Sequence, residues 1–87
     1  MKETFNFGKA LEKLKQGKRV QRQGWNGKGM YLFLAYGEDL SKCLFKEEDN
    51  IKCQDSICMY TAQSTVCVGW LASQADMLAN DWILYEE

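Results

Sequence analysis

The sequence contains no histidine, and this absence excludes several kinds of chemistry. Histidine is the usual acid–base catalyst near neutral pH and a common metal ligand. Catalytic triads that use histidine and metal sites that include it are therefore ruled out. A cysteine nucleophile would have only lysine, aspartate or glutamate as its base. We predict that the protein is not an enzyme.

Sequence motifs for phosphate and metal sites are also missing. G-x-x-x-x-G-K-[ST] does not occur, and Gly24, Gly27 and Gly29 do not have the G-x-G-x-x-G spacing. The acidic residues 47–49 are expected to form a solvated loop. The four cysteines lack the C-x2-C spacing of a zinc knuckle; they are Cys43, Cys53, Cys58 and Cys67. No cofactor and no metal are expected.

The chain has no internal repeat, no linker and no apolar run that approaches the ~18 residues of a membrane span. Its 87 residues are therefore expected to form one domain, 1–87. The N-terminus is polar and does not resemble a signal peptide. A cytosolic location, with reduced and mostly buried thiols, is the corresponding expectation.

Charge is distributed unevenly along the chain, although the formal net charge is only −1. Residues 1–36 hold eight lysines and arginines against two acids, whereas residues 37–87 hold three lysines against ten acids. Two solvated faces would account for this pattern. The alternative is a basic site for an anionic ligand, on a protein too acidic for a general nucleic-acid coat.

Aromatic residues are plentiful for so short a chain, with three Trp, four Tyr and four Phe. A domain of this size buries only about 60–65% of its unfolded surface, so these side chains cannot all be interior. Surplus aromatics favour an oligomer interface or an aromatic-lined pocket. A homo-oligomer is therefore expected.

Residues 6–17 are predicted to form a helix. Phe7, Ala10, Leu11 and Leu14 fall at i, i+3, i+4 and i+7 and make one apolar stripe. Asn6 is a suitable N-cap, and a glycine at position 17 suits the residue after the helix.

The remainder reads mainly as strands. Residues 18–23 form a short basic strand, and residues 30–36 form the strongest strand, apolar on both faces and therefore central or covered by a partner. Residues 37–39 read as a turn, 43–45 as a brief strand, 47–54 as a polar loop, and 57–62 with 66–70 as a hairpin. A capping box at 73–76 opens a short helix through residue 78, and 82–85 is the closing strand. The fold class is α+β: a small antiparallel sheet with one N-terminal helix and a short helix before the last strand.

A glycine-rich stretch at residues 24–31 carries the first group of candidate binding residues. Trp25 and Tyr31 offer ring faces for a base, and Asn26 could read an adenine edge. The amides of residues 27–29 could hold phosphate, with added charge from Arg22, Arg19 and Lys28. The structural alternative is a strained turn with Trp25 packed on the sheet.

A second group lies near the C-terminus. Trp70 could belong either to the core or to a binding pocket. Trp82 is assigned to the core because it begins an apolar strand. Ser73 and Asp76 could simply cap a helix. Alternatively, the helix N-terminus could meet a ligand's phosphate, and Asp76 its ribose hydroxyls.

These two groups together resemble a family of small phage and bacterial proteins. Residues 7–11, the basic strand and residues 22–32 are similar to the first half of the family that includes the second type of Thoeris anti-defense protein. Residues 69–82, with a tryptophan, Ser-Gln-x-Asp and then Asp-Trp, are similar to its closing segment. The middle departs from the pattern: the chain has no proline near Trp70 and carries Cys53, Cys58 and Cys67 instead. This departure leaves the ligand preference open.

The resemblance implies a sponge that binds a cyclic ADP-ribose-type signal made by a TIR-domain defence enzyme, without degrading it. It also implies a homotetramer with pockets between protomers, in the cytoplasm of the infected bacterial host; some members accept cyclic oligonucleotides. The ligand-binding residues expected here are Phe7, Arg22, Trp25, Asn26, Gly27, Lys28, Gly29, Met30, Trp70, Ser73, Gln74 and Asp76.

Two other functions remain open from the residues alone. The same aromatic and basic strip could bind single-stranded nucleic acid, although the acidic second half argues against it. Exposed aromatics could also cap a host protein as an inhibitor.

Overall fold

A computed structural model describes residues 3–25 and 29–86. In chain order the elements are α1 (Phe7–Lys15), β1 (Val20–Arg22), β2 (Tyr31–Ala35), α2 (Gly37–Leu44), a 3-10 turn (Glu47–Asp49), β3 (Ser56–Tyr60), β4 (Val66–Val68), α3 (Gln74–Leu78) and β5 (Trp82–Leu84). The predicted α+β class is confirmed, with an N-terminal helix and a short helix before the last strand.

Helix α1 forms as its sequence predicts. The Asn6 side chain accepts a hydrogen bond from the backbone N–H of Lys9 at 2.9 Å and caps the first turn. Gly17 adopts a φ of +83°, a left-handed conformation that ends the helix without the strain a side chain would add. Ala10 and Leu14 are buried, so the predicted apolar stripe is the face that packs on the sheet.

The five strands form one antiparallel sheet in the order β4-β3-β2-β1-β5. Strand β2 is the middle strand, which confirms the prediction drawn from its apolar side chains on both faces. The predicted hairpin of β3 and β4 is also confirmed, with Tyr60 opposite Val66. The last strand crosses to lie beside β1, where Arg22 faces Trp82.

The hydrophobic core lies between α1 and one face of the sheet. Its buried members come from α1, β1, β2 and β5 and are Ala10, Leu14, Val20, Leu32 and Trp82. Trp82 is fully buried, as its position at the start of an apolar strand predicts. Strand β5 is the last strand in the sequence, yet it pairs with β1 and packs in the core with α1. The C-terminal part of the chain is therefore held against the N-terminal part.

The two edges of the sheet differ. Beyond β5, Phe5 pairs with Trp82: Phe5 N–H donates to the Trp82 carbonyl at 2.9 Å and Trp82 N–H donates to the Phe5 carbonyl at 3.1 Å. Strand β4 forms the opposite edge, and all three of its residues are exposed.

Two local predictions in the middle of the chain are wrong. Residues 37–39 do not form a turn and residues 43–45 do not form a strand, because α2 occupies 37–44. Its first N–H, on Gly37, donates to Asp55 Oδ1 at 2.7 Å, and Ser41 Oγ accepts from Cys53 N–H at 2.7 Å. These partners lie 18 and 12 residues away, so the local pattern does not reveal them.

The polar loop predicted at 47–54 contains the 3-10 turn. The prediction of mostly buried thiols is also wrong: Cys43 and Cys67 are exposed, Cys53 is half-buried and Cys58 is buried. The four thiols are free. Within the described ranges, no helix is both long enough and apolar enough to cross a membrane.

Candidate functional site

Four aromatic rings from distant parts of the chain meet at one end of the core. We call this group, formed by Phe7, Trp25, Trp70 and Trp82, the aromatic cluster. Trp82 is fully buried at its base, and the other three rings are half-buried around it. Trp25 meets Trp82 edge-on with ring centroids 5.4 Å apart and lies 6.4 Å from Trp70. Phe7 lies 5.4 Å from Trp82.

Asp76 fastens this cluster to α3. Its Oδ1 accepts from Arg22 Nη1 at 2.8 Å and from the Trp25 indole Nε1 at 3.4 Å. Its Oδ2 accepts from the Ser73 hydroxyl at 2.9 Å and from the Ser73 backbone N–H at 3.3 Å. Its backbone carbonyl accepts from Trp82 Nε1 at 3.0 Å. One residue thus holds two indoles and the arginine.

Arg22 is shared between two carboxylates. While Nη1 binds Asp76, Nε donates to Asp81 Oδ1 at 2.9 Å. The other oxygen of Asp81 accepts from the Gly24 backbone N–H at 2.9 Å. A planar guanidinium can serve two acceptors in fixed directions, which a lysine cannot do. The residues before Trp25 are therefore held by the segment that leads into β5.

The pKa values of these three groups shift in the directions that their contacts require. Burial alone would raise the pKa of Asp76, but hydrogen bonds from Arg22, Ser73 and Trp25 outweigh it and the pKa falls below 3.8. Burial likewise opposes the fall at Asp81, where Arg22 and the Gly24 N–H lower the pKa. Hydrogen bonds to Asp81 and then Asp76 raise the pKa of Arg22. All three groups are charged near neutral pH.

The structure brings together six of the residues that the sequence singled out: Phe7, Arg22, Trp25, Trp70, Ser73 and Asp76. Ser73 and Asp76 form the capping box expected from the sequence, with Ser73 Oγ accepting from Asp76 N–H at 3.1 Å. Gln74 begins α3 and is exposed. The predictions for Asn26, Gly27 and Lys28 lie outside the described residues.

The observed contacts of Arg22 and Asp76 are with other protein groups, which indicates positioning roles for both residues. A carboxylate offers about four acceptor positions, and protein donors approach Asp76 from four directions: Arg22, Trp25 and two groups of Ser73. Asp76 is thus placed to orient Trp25 rather than to receive ribose hydroxyls. Two nitrogens of Arg22, predicted for phosphate, are directed at carboxylates instead.

Gly29 and Met30 lead into β2. Gly29 has a φ of +78°, a conformation that favours glycine, and the Met30 carbonyl accepts from Gln21 Nε2 at 3.1 Å. Tyr31 does not join Trp25 on one binding surface, as its place in the glycine-rich stretch suggested. It stacks on Tyr60 at 5.0 Å, on the face of the sheet opposite α1.

That opposite face carries a second group of rings, of which the sequence had singled out Tyr31 alone. Tyr31 lies 4.5 Å from Tyr85 between centroids, and the Arg19 guanidinium lies over the Tyr31 ring at 4.8 Å. Side chains alternate between the two faces along a strand, so Tyr31 and Leu32 lie on opposite faces of the sheet. Because Leu32 is in the core beneath α1, the position of Tyr31 on the other face could have been predicted from the sequence.

Asp81 is the site residue that sequence reasoning missed. No role of its own was assigned to it from the sequence. The signal available was the Asp-Trp pair at 81–82, which places a carboxylate next to the buried Trp82. Its partner Arg22 is 59 residues away, and no local pattern pairs the two.

A separate cavity of about 860 Å³ lies beside α2 and the 3-10 turn, away from the aromatic cluster. Its lining is mixed, with charged residues such as Glu38 and Lys42 around Phe45 and Ile51. Across residues 3–25 and 29–86, no group of three or more Cys, Asp or Glu side chains could hold a metal ion.

Comparison with known proteins gives two matches that include this site. The family model for the Thoeris anti-defense 2-like domain matches residues 5–85. A protein of Bacillus phage SP01 named Thoeris anti-defense 2 is 41% identical over 85 residues, which covers 94% of this chain and 96% of that protein. The family-model match extends over α1, the sheet and the aromatic cluster.

Proposed function

The chain belongs to the Thoeris anti-defense 2-like family, and from that premise we propose that it is a non-catalytic sponge. It binds a cyclic ADP-ribose-type immune signal, such as glycocyclic ADP-ribose, and holds it intact, which blocks TIR-based Thoeris defence. The action takes place in the cytoplasm of the infected bacterial host.

The observation that carries this proposal is the indole of Trp25, fixed in place by a carboxylate. Its Nε1 is hydrogen-bonded to Asp76, and its ring packs edge-on against Trp70 and Trp82. An aromatic ring held in this way loses little conformational entropy when a base stacks on it. Base–aromatic stacking contributes about 1–3 kcal/mol. Trp25 is thus the adenine platform, with Phe7 and Trp70 beside it.

Arg22, Asp76 and Ser73 hold the Trp25 ring in position through the hydrogen bonds that meet at Asp76, rather than binding the ligand themselves. The Arg22–Asp76–Asp81 group carries a net negative charge, which does not attract phosphate. The pyrophosphate is therefore assigned to the amides of residues 27–29 and the Lys28 ammonium, with Asn26 reading the base edge. Gly29, Met30 and Gln74 complete the pocket rim.

The same geometry favours binding over turnover. Asp76 and Asp81 have lowered pKa values, so neither carries a proton near neutral pH to give to a leaving group. Their oxygens already accept hydrogen bonds from the protein. Neither carboxylate is suited to act as a general acid or base.

A homo-oligomer, with a tetramer favoured, is part of the proposal. The rings of Phe7, Trp25 and Trp70 are half-buried in one protomer. A small ligand is held tightly where most of its surface is enclosed, and a neighbouring protomer supplies the missing wall.

The test mixes purified protein with glycocyclic ADP-ribose, removes unbound ligand, heats the complex and analyses the released small molecule by mass. Recovery of the intact ligand at stoichiometric yield is expected. A degraded product would make the protein an enzyme, and the absence of binding would refute the sponge.

The same preparation separates the alternatives. Salt-dependent binding of single-stranded oligonucleotides, without binding of the cyclic nucleotide, would favour a nucleic-acid module. A stoichiometric host protein in a pull-down, again without nucleotide, would favour an inhibitor.

A further inference from the structure

The edge formed by β4 is short, and it carries no charged side chain or proline that would oppose pairing. Natural edges are blunted by short length, lysines, prolines, bulges or a covering segment, and of these β4 has the short length. At the other edge of the sheet Phe5 covers Trp82, whereas Val66 and Val68 are 51% and 57% exposed. Residues 56–75 contain no charged side chain, so no like-charge repulsion opposes the approach of a second neutral strand.

The hydrogen-bonding direction of β4 follows from the hairpin. Thr61 N–H donates to the Thr65 carbonyl at 2.8 Å, so that pair is a hydrogen-bonded one. Hydrogen-bonded and non-hydrogen-bonded pairs alternate along an antiparallel ladder. Cys67, opposite Met59, therefore directs its backbone groups toward β3. The N–H and C=O groups of Val66 and Val68 point away from the sheet.

The sequence of β4, Val-Cys-Val, reads the same in both directions. A two-fold axis through Cys67 would place Val66 opposite Val68 of a second copy, and Val68 opposite its Val66. Each of these would be a hydrogen-bonded pair, because the outward N–H and C=O groups of Val66 in one copy would face those of Val68 in the other. Two-fold symmetric contacts require this kind of self-complementary surface.

We propose that β4 pairs antiparallel with β4 of a second copy of this chain, joining two five-stranded sheets into one sheet of ten strands. The contact is centred on Cys67, which faces its symmetry mate across a non-hydrogen-bonded pair. In such pairs the Cα atoms are about 4.5 Å apart, within the range that a disulfide can bridge. Nucleotide binding is not required for this contact.

The first test uses the exposed cysteines. Copper(II) phenanthroline would take two electrons from a Cys67 pair, forming one S–S bond and releasing two protons. A covalent dimer should appear on a non-reducing gel for the natural protein and for C43S, the matched exposed thiol, but not for C67S. No dimer in the natural protein, or a dimer that depends on Cys43, would overturn the proposal.

The second test measures mass without ligand by native mass spectrometry. V66K/V68K places like charges opposite each other in both valine pairs, and should halve the mass of the assembly. The matched control L44K/I51K changes two exposed apolar residues elsewhere and should leave the mass unchanged. Unchanged far-UV circular dichroism in both variants would establish that each has folded. A monomeric natural protein, or equal masses for the natural protein and V66K/V68K, would refute the β4 pairing. A monomeric natural protein would also contradict the proposed oligomer, whereas equal masses would refute the β4 contact alone and leave the oligomer and its nucleotide site in place.

Discussion

Arg22 Nη1 and Asp76 Oδ1 are 2.8 Å apart although 54 residues separate them in the chain. Asp76 also accepts from the Trp25 indole, and Arg22 also donates to Asp81. This ion pair thus connects β1 to α3, and the further hydrogen bonds of its two residues reach Trp25 and the residue before β5. The orientation of Trp25 depends on it.

Replacing Arg22 should therefore cost stability. R22K keeps the charge but loses the two fixed donor directions, and we expect a loss of about 1–3 kcal/mol in the free energy of unfolding, measured by urea titration. The control is K42A, which breaks the Lys42–Glu38 pair, whose side chains are 72% and 81% exposed. That change should cost less than about 1 kcal/mol. Equal losses in the two variants would argue against a structural role for Arg22.

Acid should destabilise the protein through Asp76 and Asp81. Their pKa values in the folded state lie below the ordinary value of 3.8, so the unfolded chain takes up protons first as the pH falls. Their contribution is complete above the unfolded pKa and is lost as the pH falls through the folded pKa. We expect a steady urea midpoint from about pH 7 to 5 and a decline below about pH 4.

A variant without these two charges supplies the comparison for the acid titration. D76N/D81N should begin less stable at neutral pH and decline less steeply in acid, because two of the groups that couple stability to protons are gone. Parallel declines in the two proteins would assign the acid sensitivity to other carboxylates.

Ligand binding should depend on the ring of Trp25. W25A should weaken binding of glycocyclic ADP-ribose by about 5- to 150-fold, since 1–3 kcal/mol of stacking is lost. W25F keeps a ring but loses the hydrogen bond to Asp76, so it should fall between W25A and the natural protein. Isothermal titration calorimetry measures all three.

The control for this binding measurement is F45A, because Phe45 is a half-exposed ring that lines the separate cavity beside α2. Its affinity should equal that of the natural protein. A loss in F45A with none in W25A would move the binding site from the aromatic cluster to that cavity.

Gly37 should not tolerate a side chain. A Cβ at this buried position would collide with the Cys53 carbonyl group, which belongs to the backbone and cannot rotate aside. G37A should lower the free energy of unfolding by about 1–3 kcal/mol. In the matched variant G8A the nearest atom is the Asn6 side-chain oxygen at 3.4 Å, and the helix should gain up to about 1 kcal/mol. Thermal denaturation should therefore show a lower melting temperature for G37A and an unchanged or higher one for G8A. Shifts of the same sign and size in the two variants would contradict this prediction.

Local patterns in the sequence predicted the elements that local interactions stabilise. The stripe of α1, its Asn6 cap and the Ser73–Asp76 capping box all follow from residues within one or two turns of each other. The central place of β2 followed from its apolar side chains on both faces. The aromatic cluster could be foreseen in part, since Trp25 and Trp70 both stood out as candidates.

Features held by distant partners could not be predicted in this way. Helix α2 has its first N–H satisfied by Asp55, and a glycine followed by two acids reads locally as a turn. Arg22 looked like a phosphate ligand because a single sequence does not show that Asp81, the residue before β5, lies beside it. The pairing of β1 with β5 brings Arg22 and Asp81 together, and this pairing of distant strands determines the role of Arg22.

The most direct test of the sponge is native mass spectrometry of the protein with glycocyclic ADP-ribose, performed on the natural chain and on W25A. We expect each binding event to add the full mass of the intact nucleotide to the natural protein, with occupancy sharply reduced in W25A. A protein that gains no mass, gains the mass of a fragment, or binds equally well without the Trp25 ring would contradict it.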